Sequence, residues 1–292
     1  MIDTSNLVLT APQQATSSIK ASFDKIALID ADFIKYLTCS DISKYIGEHG
    51  YHPSEKMGPS FINHFVENQL NKQFFNRFDC KGMIFCFSGP STNTFRYMVG
   101  FDKKYKGKRG LNEPDYPTFY QDLASVLSIV AKHHNIYIHH EYEADDVVSV
   151  LQNEHTFIYS RDKDLKQVPG NHYDVSKNQL KEISVNDANY SLCLQLLQGD
   201  STDNITGIQG VGETTAIKLL KDVPINQRFT KVIETYVSKY GSIEGLDRFA
   251  EAWMLVKMRI ARGGYEAEKL VGAYHMRDLL IKNNITNGNS TD

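Results

Sequence analysis

The stretch EYEADDVVSV (141–150) places Glu141, Glu143, Asp145 and Asp146 within six positions, at the start of a helix-like apolar pattern. Acidic side chains in a first helical turn meet free N–H groups and the positive end of the dipole, so one or two need no further reason. Four repel one another. Ala144, Val147, Val148 and Leu151 recur at helical spacing as an inward face, and Glu143 and Asp146, three apart, share a side at its rim. Crowded carboxylates there serve either as caps or as oxygen ligands for a divalent cation. This stretch alone leaves both readings open.

Two other stretches carry candidate chemistry. LLQGDSTDNITGIQGVGETTAIKLL (196–220) contains Asp200 and Asp203 beside the glycines of GIQGVG, Gly207, Gly210 and Gly212. The glycine spacing is not that of a dinucleotide fingerprint, and the turn follows a helix instead of a strand. It reads as helix, glycine hairpin and helix, with Ile208 and Val211 tucked inward and free N–H groups facing out as a phosphate-backbone grip. A simple tight helix–helix turn is the plainer alternative. FDKKYKGKRG (101–110) holds Lys103, Lys104, Lys106, Lys108 and Arg109 against one acid, Asp102. Most basic runs are solvated surface, but Tyr97, Phe101 and Tyr105 are interleaved, which suits stacking on single-stranded nucleic acid. Arg96 lies just upstream.

These residues need elements to position them. KIALIDAD (25–32), GMIFCFSG (82–89), NIYIHH (135–140) and TFIYSRD (156–162) are short apolar runs ending in polar residues, as buried strands do. Helical patterns separate them near 60–78, 116–134 and 143–153. The alternation predicts an α/β fold: a mostly parallel sheet with helices on both faces. From about residue 185 only helix-like segments follow, to about 282. The expected organisation is a polar tail over 1–22, an α/β domain over 23–184 with the basic segment near 95–115, a helical region over 185–282, and a second polar tail over 283–292. In such sheets ligands bind beyond the carboxyl ends of the strands. The first strand ends at Asp30 and Asp32, the fourth at Asp162 and Asp164, and the third leads into EYEADD. Acids from distant segments delivered to one sheet edge favour a metal site over capping, because the cluster would not stay ionised without cations.

Composition bounds the rest. The chain has 292 residues, 41% hydrophobic, enough for one large domain or two. Its formal net charge of -3 does not advertise a nucleic-acid binder, yet an acidic pocket masks basic surface elsewhere in such a sum. Cys39, Cys80, Cys86 and Cys193 are scattered without C-x-x-C spacing, which suggests neither a disulfide framework nor a zinc site and fits a reducing cytoplasm. No signal peptide or membrane span is recognisable.

YEADD (142–146), SRDKD (160–164), YKGKR (105–109) and GDSTDNITGIQGVGETTA (199–216) together resemble motifs of the bacteriophage 5′→3′ exonucleases and flap endonucleases, and of the 5′ nuclease domain of bacterial DNA polymerase I. The resemblance covers roughly 25–280. It implies a PIN-like 5′ nuclease fold followed by a helix-hairpin-helix. It also implies a structure-specific 5′ nuclease hydrolysing DNA with two or more Mg²⁺ or Mn²⁺ ions. The implied metal-binding acids are Asp30, Glu143, Asp145, Asp146, Asp162, Asp164, Asp200 and Asp203. Lys106 and Arg109 are the implied catalytic cations of a basic arch. Arg96, Lys103, Lys104 and Tyr105, with Lys106 and Arg109, contact DNA, and Gly207, Gly210 and Gly212 hold duplex backbone, with K⁺ as a helper ion. The implied partner is DNA with a 5′ end or 5′ flap at a junction, with RNA–DNA hybrid as a further substrate. The protein is expected to be a monomer in the cytoplasm, that of an infected bacterial host if phage-encoded. Two departures stand out: Ser88 occupies a position where the family commonly has aspartate, and Arg96 lies ten positions before Lys106. The Ser88 departure supplies the rival reading, a branched-DNA-binding protein with weakened catalysis.

Overall fold

Residues of alternating direction along the strands set the layers. A computed structural model describes residues 20–89, 94–99, 103–107 and 113–258. Strand β1 (Ala21–Asp30) leads into helix α1 (Asp32–His49), a short α2 (Ser54–Met57) and α3 (Phe61–Leu70), which continues as a π turn over Asn71–Phe75. Then come β2 (Phe78–Ser88), α4 (Phe95–Val99), α5 (Phe119–His133), β3 (Asn135–His139), α6 (Ala144–Leu151) and β4 (Thr156–Tyr159). A 3-10 turn over Asp164–Gln167 precedes the hairpin β5 (Gly170–Asp174) and β6 (Gln179–Ile183).

The six strands lie in the order β3-β2-β1-β4-β5-β6, all parallel except the β5–β6 pair. Ala27, Ile29, Phe85, Phe87, Phe157 and Tyr159 project to one face, where α1, α3 and α5 cover them. Leu28, Cys86 and Ile158, one residue out of phase, meet Val147 and Val148 of α6 on the other face. Both faces are therefore apolar, which is why these strands read as continuous hydrophobic runs. Mostly parallel strands with helices on both sides are the architecture expected from the sequence.

The helical region contains α7 (Val185–Gln198), a two-residue pair β7 (Gly199–Asp200) and β8 (Ile205–Thr206), α8 (Glu213–Leu220), α9 (Arg228–Tyr240) and α10 (Ser242–Val256). Leu196, Ile208, Leu220, Val232, Tyr236 and Phe249 form its separate core. Three local expectations change. Strand β1 begins inside the segment read as a tail, because Phe23 packs on Phe78 and Phe157. The polar β5–β6 hairpin was not foreseen, since only one of its faces is buried. Strand pairing also recurs beyond residue 185, where β7 and β8 fold the GDSTDNIT loop back on itself. The segments 1–19 and 259–292 lie outside the described residues. No helix among those described is long and apolar enough to cross a membrane.

Candidate active site

The sheet order reverses beside β1, between the arm running through β2 and the arm running through β4, and a cavity of about 510 Å³ opens at this end of the strands. Asp30 enters it from the end of β1, Glu143 and Asp145 from the start of α6, and Asp162 and Asp164 from the loop after β4. Asp200 and Asp203 reach it from β7 and the following turn. Seven of the eight expected acids therefore line one cavity, although they come from four separate stretches of the chain.

Their charges are poorly offset by the protein. Burial pushes the Asp30 carboxyl up to about 7, with Asp32 adding repulsion and the Ser160 hydroxyl, which donates at 2.8 Å, opposing it. Burial likewise pushes Asp164 up to about 7, reinforced by Asp162 and Asp200. Asp145 is held well above the ordinary carboxylate range by burial, then by Asp146 and Glu143. Two acids are pulled the other way. Burial would raise Glu143, but Lys106 and Arg96 hold it at about 2. Asp200 also lies below its usual value, because Lys163 at 2.9 Å and two backbone N–H donors outweigh its burial.

Asp146 does not line the cavity. It is fully buried, and Arg96 grips both of its oxygens. One oxygen each of Glu143, Asp145 and Asp146 lie within 4.8 Å of one another, a spacing a cation could bridge. In this structure Arg96 pairs with Asp146 beside that spacing. Arg96 itself is 1% exposed and donates to Glu143 Oε2 (2.9 Å) and to the Leu255 carbonyl (2.9 Å). Expected to contact DNA, it instead holds the acidic helix start against the end of α10.

The described part of the basic segment lies across the acids. The Tyr105 hydroxyl sits 2.8 Å from Glu143 Oε2 and 3.1 Å from Asp203 Oδ2, shared between them. Tyr105 is 3% exposed and meets Tyr97 edge-on, so the expected stacking of a base on its ring is not available in this conformation. Lys106 reaches Glu143 directly and Asp203 Oδ2 at 3.8 Å, while its backbone N–H donates to the Asp203 carbonyl at 2.8 Å. Its φ of 52° is left-handed, a conformation that non-glycine residues adopt at a cost. Lys103 and Lys104 are exposed beside it, and Arg109 lies outside the described residues.

Ser88 has a role that the sequence did not reveal. Its hydroxyl donates to Asp32 and accepts the Ala144 N–H at 2.9 Å, while its own N–H points to Asp32 Oδ1 at 3.3 Å. It therefore ties the end of β2 to α1 and to the first turn of α6. Asp32 lines the cavity but was absent from the expected metal set, although LIDAD displayed it; Lys35 pairs with it at 2.7 Å. Tyr36, Phe33 and Arg161 also line the cavity and were missed. Tyr36 stands four residues beyond Asp32, one helical turn on, and that spacing was the available signal.

The glycine turn closes α7 onto α8. A Cβ at Gly207 would lie 2.2 Å from the Gln198 carbonyl carbon, so only glycine fits. Gly210 has φ 85°, and Gly212 immediately precedes α8. Ile208 is buried as expected and its N–H donates to the Leu197 carbonyl at 2.8 Å, whereas Val211 is half-buried.

No protein-family model matches the chain. Among curated proteins it is similar to DNA polymerase I of Bacillus subtilis, 26% identical over 256 residues, which cover 80% of this chain and 27% of that protein. It is 30% identical over 136 residues to a 5′-3′ exonuclease of Mycoplasmopsis pulmonis, covering 41% of this chain and 45% of the relative. A 5′-3′ exonuclease of Aquifex aeolicus is 34% identical over 121 residues, 36% of each chain. The matched portions span less than half the length of these relatives. Among solved structures, the T5 5′-exonuclease with zinc bound has the same fold at a TM-score of 0.53 and 14% identity, covering 89% of this chain and 98% of that one. The T5 D15 protein co-crystallised with metal ions gives 0.51 and 14%, covering 88% and 97%. The chain is thus similar in sequence to proteins named 5′-3′ exonuclease and DNA polymerase I, and it shares the fold of the T5 5′-exonuclease.

Proposed function

We propose that the protein is a divalent-metal-dependent, structure-specific 5′ nuclease that hydrolyses DNA phosphodiester bonds as a 5′→3′ exonuclease, a flap endonuclease or both. The observation that carries this reading is the single cavity in which seven acids face Lys106. The donor set fits hard cations: all ligands are carboxylate oxygens, and three of them, on Asp30, Asp145 and Asp164, are too buried and too crowded to ionise readily alone. Mg²⁺ or Mn²⁺ bound there would supply hydroxide at neutral pH and stabilise the leaving oxygen. Asp30, Glu143, Asp145, Asp162 and Asp164 would hold the ions, with Asp200 and Asp203 holding a further ion or its waters.

Lys106 neutralises the scissile phosphate once its hold on Glu143 is relaxed, with Arg109 as a second cation. Tyr36, 44% exposed at the cavity edge, offers a face for the base beside that phosphate. Lys103 and Lys104 guide the strand, and the Gly207–Gly212 turn acts as a helix-hairpin-helix that grips the downstream duplex, with K⁺ as its helper ion. DNA with a 5′ end or flap is the substrate, and RNA–DNA hybrid belongs to the same reading, as does action as a monomer. The relatives named as exonucleases and DNA polymerase I support the reaction class.

The test is cleavage of a 5′-labelled flap substrate with Mg²⁺, Mn²⁺ or EDTA, beside Asp145→Asn. Metal-dependent release of 5′ fragments is expected, with turnover abolished and duplex binding kept in the variant. Cleavage that persists in EDTA, or near-normal turnover in Asp145→Asn, would sink the metal assignment.

A further inference from the structure

On the other side of the Asp162–Asp164 loop lies a second cavity of about 450 Å³, enclosed by that loop, the β5–β6 hairpin and the first turns of α7. Asp162 borders both cavities. Ile158 pairs with His172 across β4 and β5, and His172 with Lys181 across β5 and β6, so all three side chains project from one sheet face into this space. Lys166, two positions beyond Asp164, faces it from the 3-10 turn. A lysine directly opposite a histidine is a costly neighbour for any imidazolium. Burial, with Lys181 adding to it, holds the His172 pKa below its ordinary value, and His172 Nε2 lies 2.8 Å from the Val168 carbonyl.

The acids on the wall are already engaged. Asp174 Oδ1 accepts from the Ser176 N–H (2.9 Å) and hydroxyl (2.6 Å) in the hairpin turn. Asp187 accepts the Ser184 hydroxyl at 2.8 Å at the start of α7. Asp162 accepts the Asp164 N–H at 2.8 Å and faces the candidate metal centre. Lys166 and Lys181, by contrast, have no ion-pair partner among the described residues. Beneath them, Ile158, Leu165 and Ile183 form an apolar floor. The lining carries three carboxylates against these two lysines. A phosphate there would rest on Lys166 and Lys181 while the acids stay turned to their own hydrogen-bond donors. The apolar floor and the size of the space suit one nucleotide.

We propose that this second cavity is an accessory site for a 5′-phosphorylated nucleotide, with Lys166 and Lys181 on the phosphate and the apolar floor under the sugar and base. The inference rests on the nuclease reading, because a nucleotide held there lies beside the loop that carries Asp162 and Asp164. Two sources share this chemistry: a mononucleotide released by exonucleolytic cleavage, and the 5′-terminal nucleotide of a strand.

The experiment uses the full chain in EDTA, so that binding is read independently of cleavage. It is titrated with dAMP, and with 5′-phosphorylated and 5′-hydroxyl trithymidylate, while the His172 imidazole resonances are followed by NMR. Saturable binding that raises the His172 pKa is expected, weakened about tenfold by Lys166→Gln or Lys181→Gln, the loss of one charge-assisted phosphate contact. Binding of dAMP identifies a product site, and binding only of the phosphorylated oligonucleotide identifies a strand-end site. No preference for the 5′ phosphate, or affinity unchanged in both variants, overturns the proposal. Nucleotide binding that survives alongside a failed flap assay would remove the nuclease reading and leave the cavity a nucleotide site.

Discussion

Glu143 accepts from Arg96, Lys106 and Tyr105 at once, and those three donors do different work. Arg96 is sealed in. Burial works against its charge, while Asp146, Asp145 and Glu143 hold its pKa well above the ordinary value. Removing one member of such a buried pair leaves uncompensated charge, so Arg96→Ala is expected to cost about 3–5 kcal/mol of stability. Urea denaturation checks this, and a loss below about 1 kcal/mol would mean that water reaches the pair. Lys106 is less confined, 9% exposed at its side chain. In Lys106→Ala, kcat on a flap substrate should fall at least a hundredfold while duplex affinity changes by less than about threefold; a pure affinity loss would move Lys106 out of the reacting centre. The sequence displayed the acids because motif spacing shows carboxylates plainly. It placed Arg96 among the DNA contacts, because a basic residue beside a basic run reads as surface whichever way its side chain turns. The same blindness hid Ser88, whose hydroxyl is read as a missing carboxylate until its partners Asp32 and Ala144 are seen.

At the level of elements, the apolar strands were legible, because period-2 burial on two covered faces leaves continuous Val/Ile/Phe runs. Their order in the sheet was not, because pairing joins residues far apart in the chain. Helix α1 and the β5–β6 hairpin were not legible. Buried Thr38 and Cys39 blur the apolar stripe of α1, and β5–β6 alternates weakly because much of it faces water. The glycine turn was legible in outline, though the reason for each glycine was not. Gly207 is there for space, since Gln198 and Gly199 backbone atoms fill the Cβ position. Gly212 has nothing within 4 Å of that position. Gly207→Ala should therefore destabilise the chain by about 2–4 kcal/mol through forced separation of α7 and β8, whereas Gly212→Ala should stay within about 1 kcal/mol. Thermal unfolding of the two variants compares them directly. Equal losses would mean that the turn yields as a unit and that close packing at Gly207 is not what fixes it.

For the whole molecule, the acidic cavity makes stability depend on pH and metal together. Asp30 and Asp164 have an ordinary value of 3.8 and stand near 7 in the fold, chiefly through burial. Between those values the native state keeps protons that the unfolded chain has released, so without metal their contribution is full below about pH 4 and is lost as pH rises through about 7. Divalent cations bound at these acids would act in the opposite sense. They would displace those protons and bind only the folded arrangement, so the stabilisation they give would grow with pH. Glu143 and Asp200, held low by their cations, lose their contribution only in acid, below the window in question. His134 and His172, whose pKa values are lowered by burial, weaken the fold as pH falls below about 6.5, against the trend expected from the aspartates. A comparison with Asp30→Asn/Asp164→Asn cancels both histidines. In EDTA, the melting temperature of the native sequence relative to this variant should fall from pH 5 to pH 8. Mg²⁺ should restore it in the native sequence and leave the variant nearly unchanged. A difference independent of pH would mean that both carboxylates are already ionised and solvated. The cavity would then lack the strain on which the proposed role of cations rests.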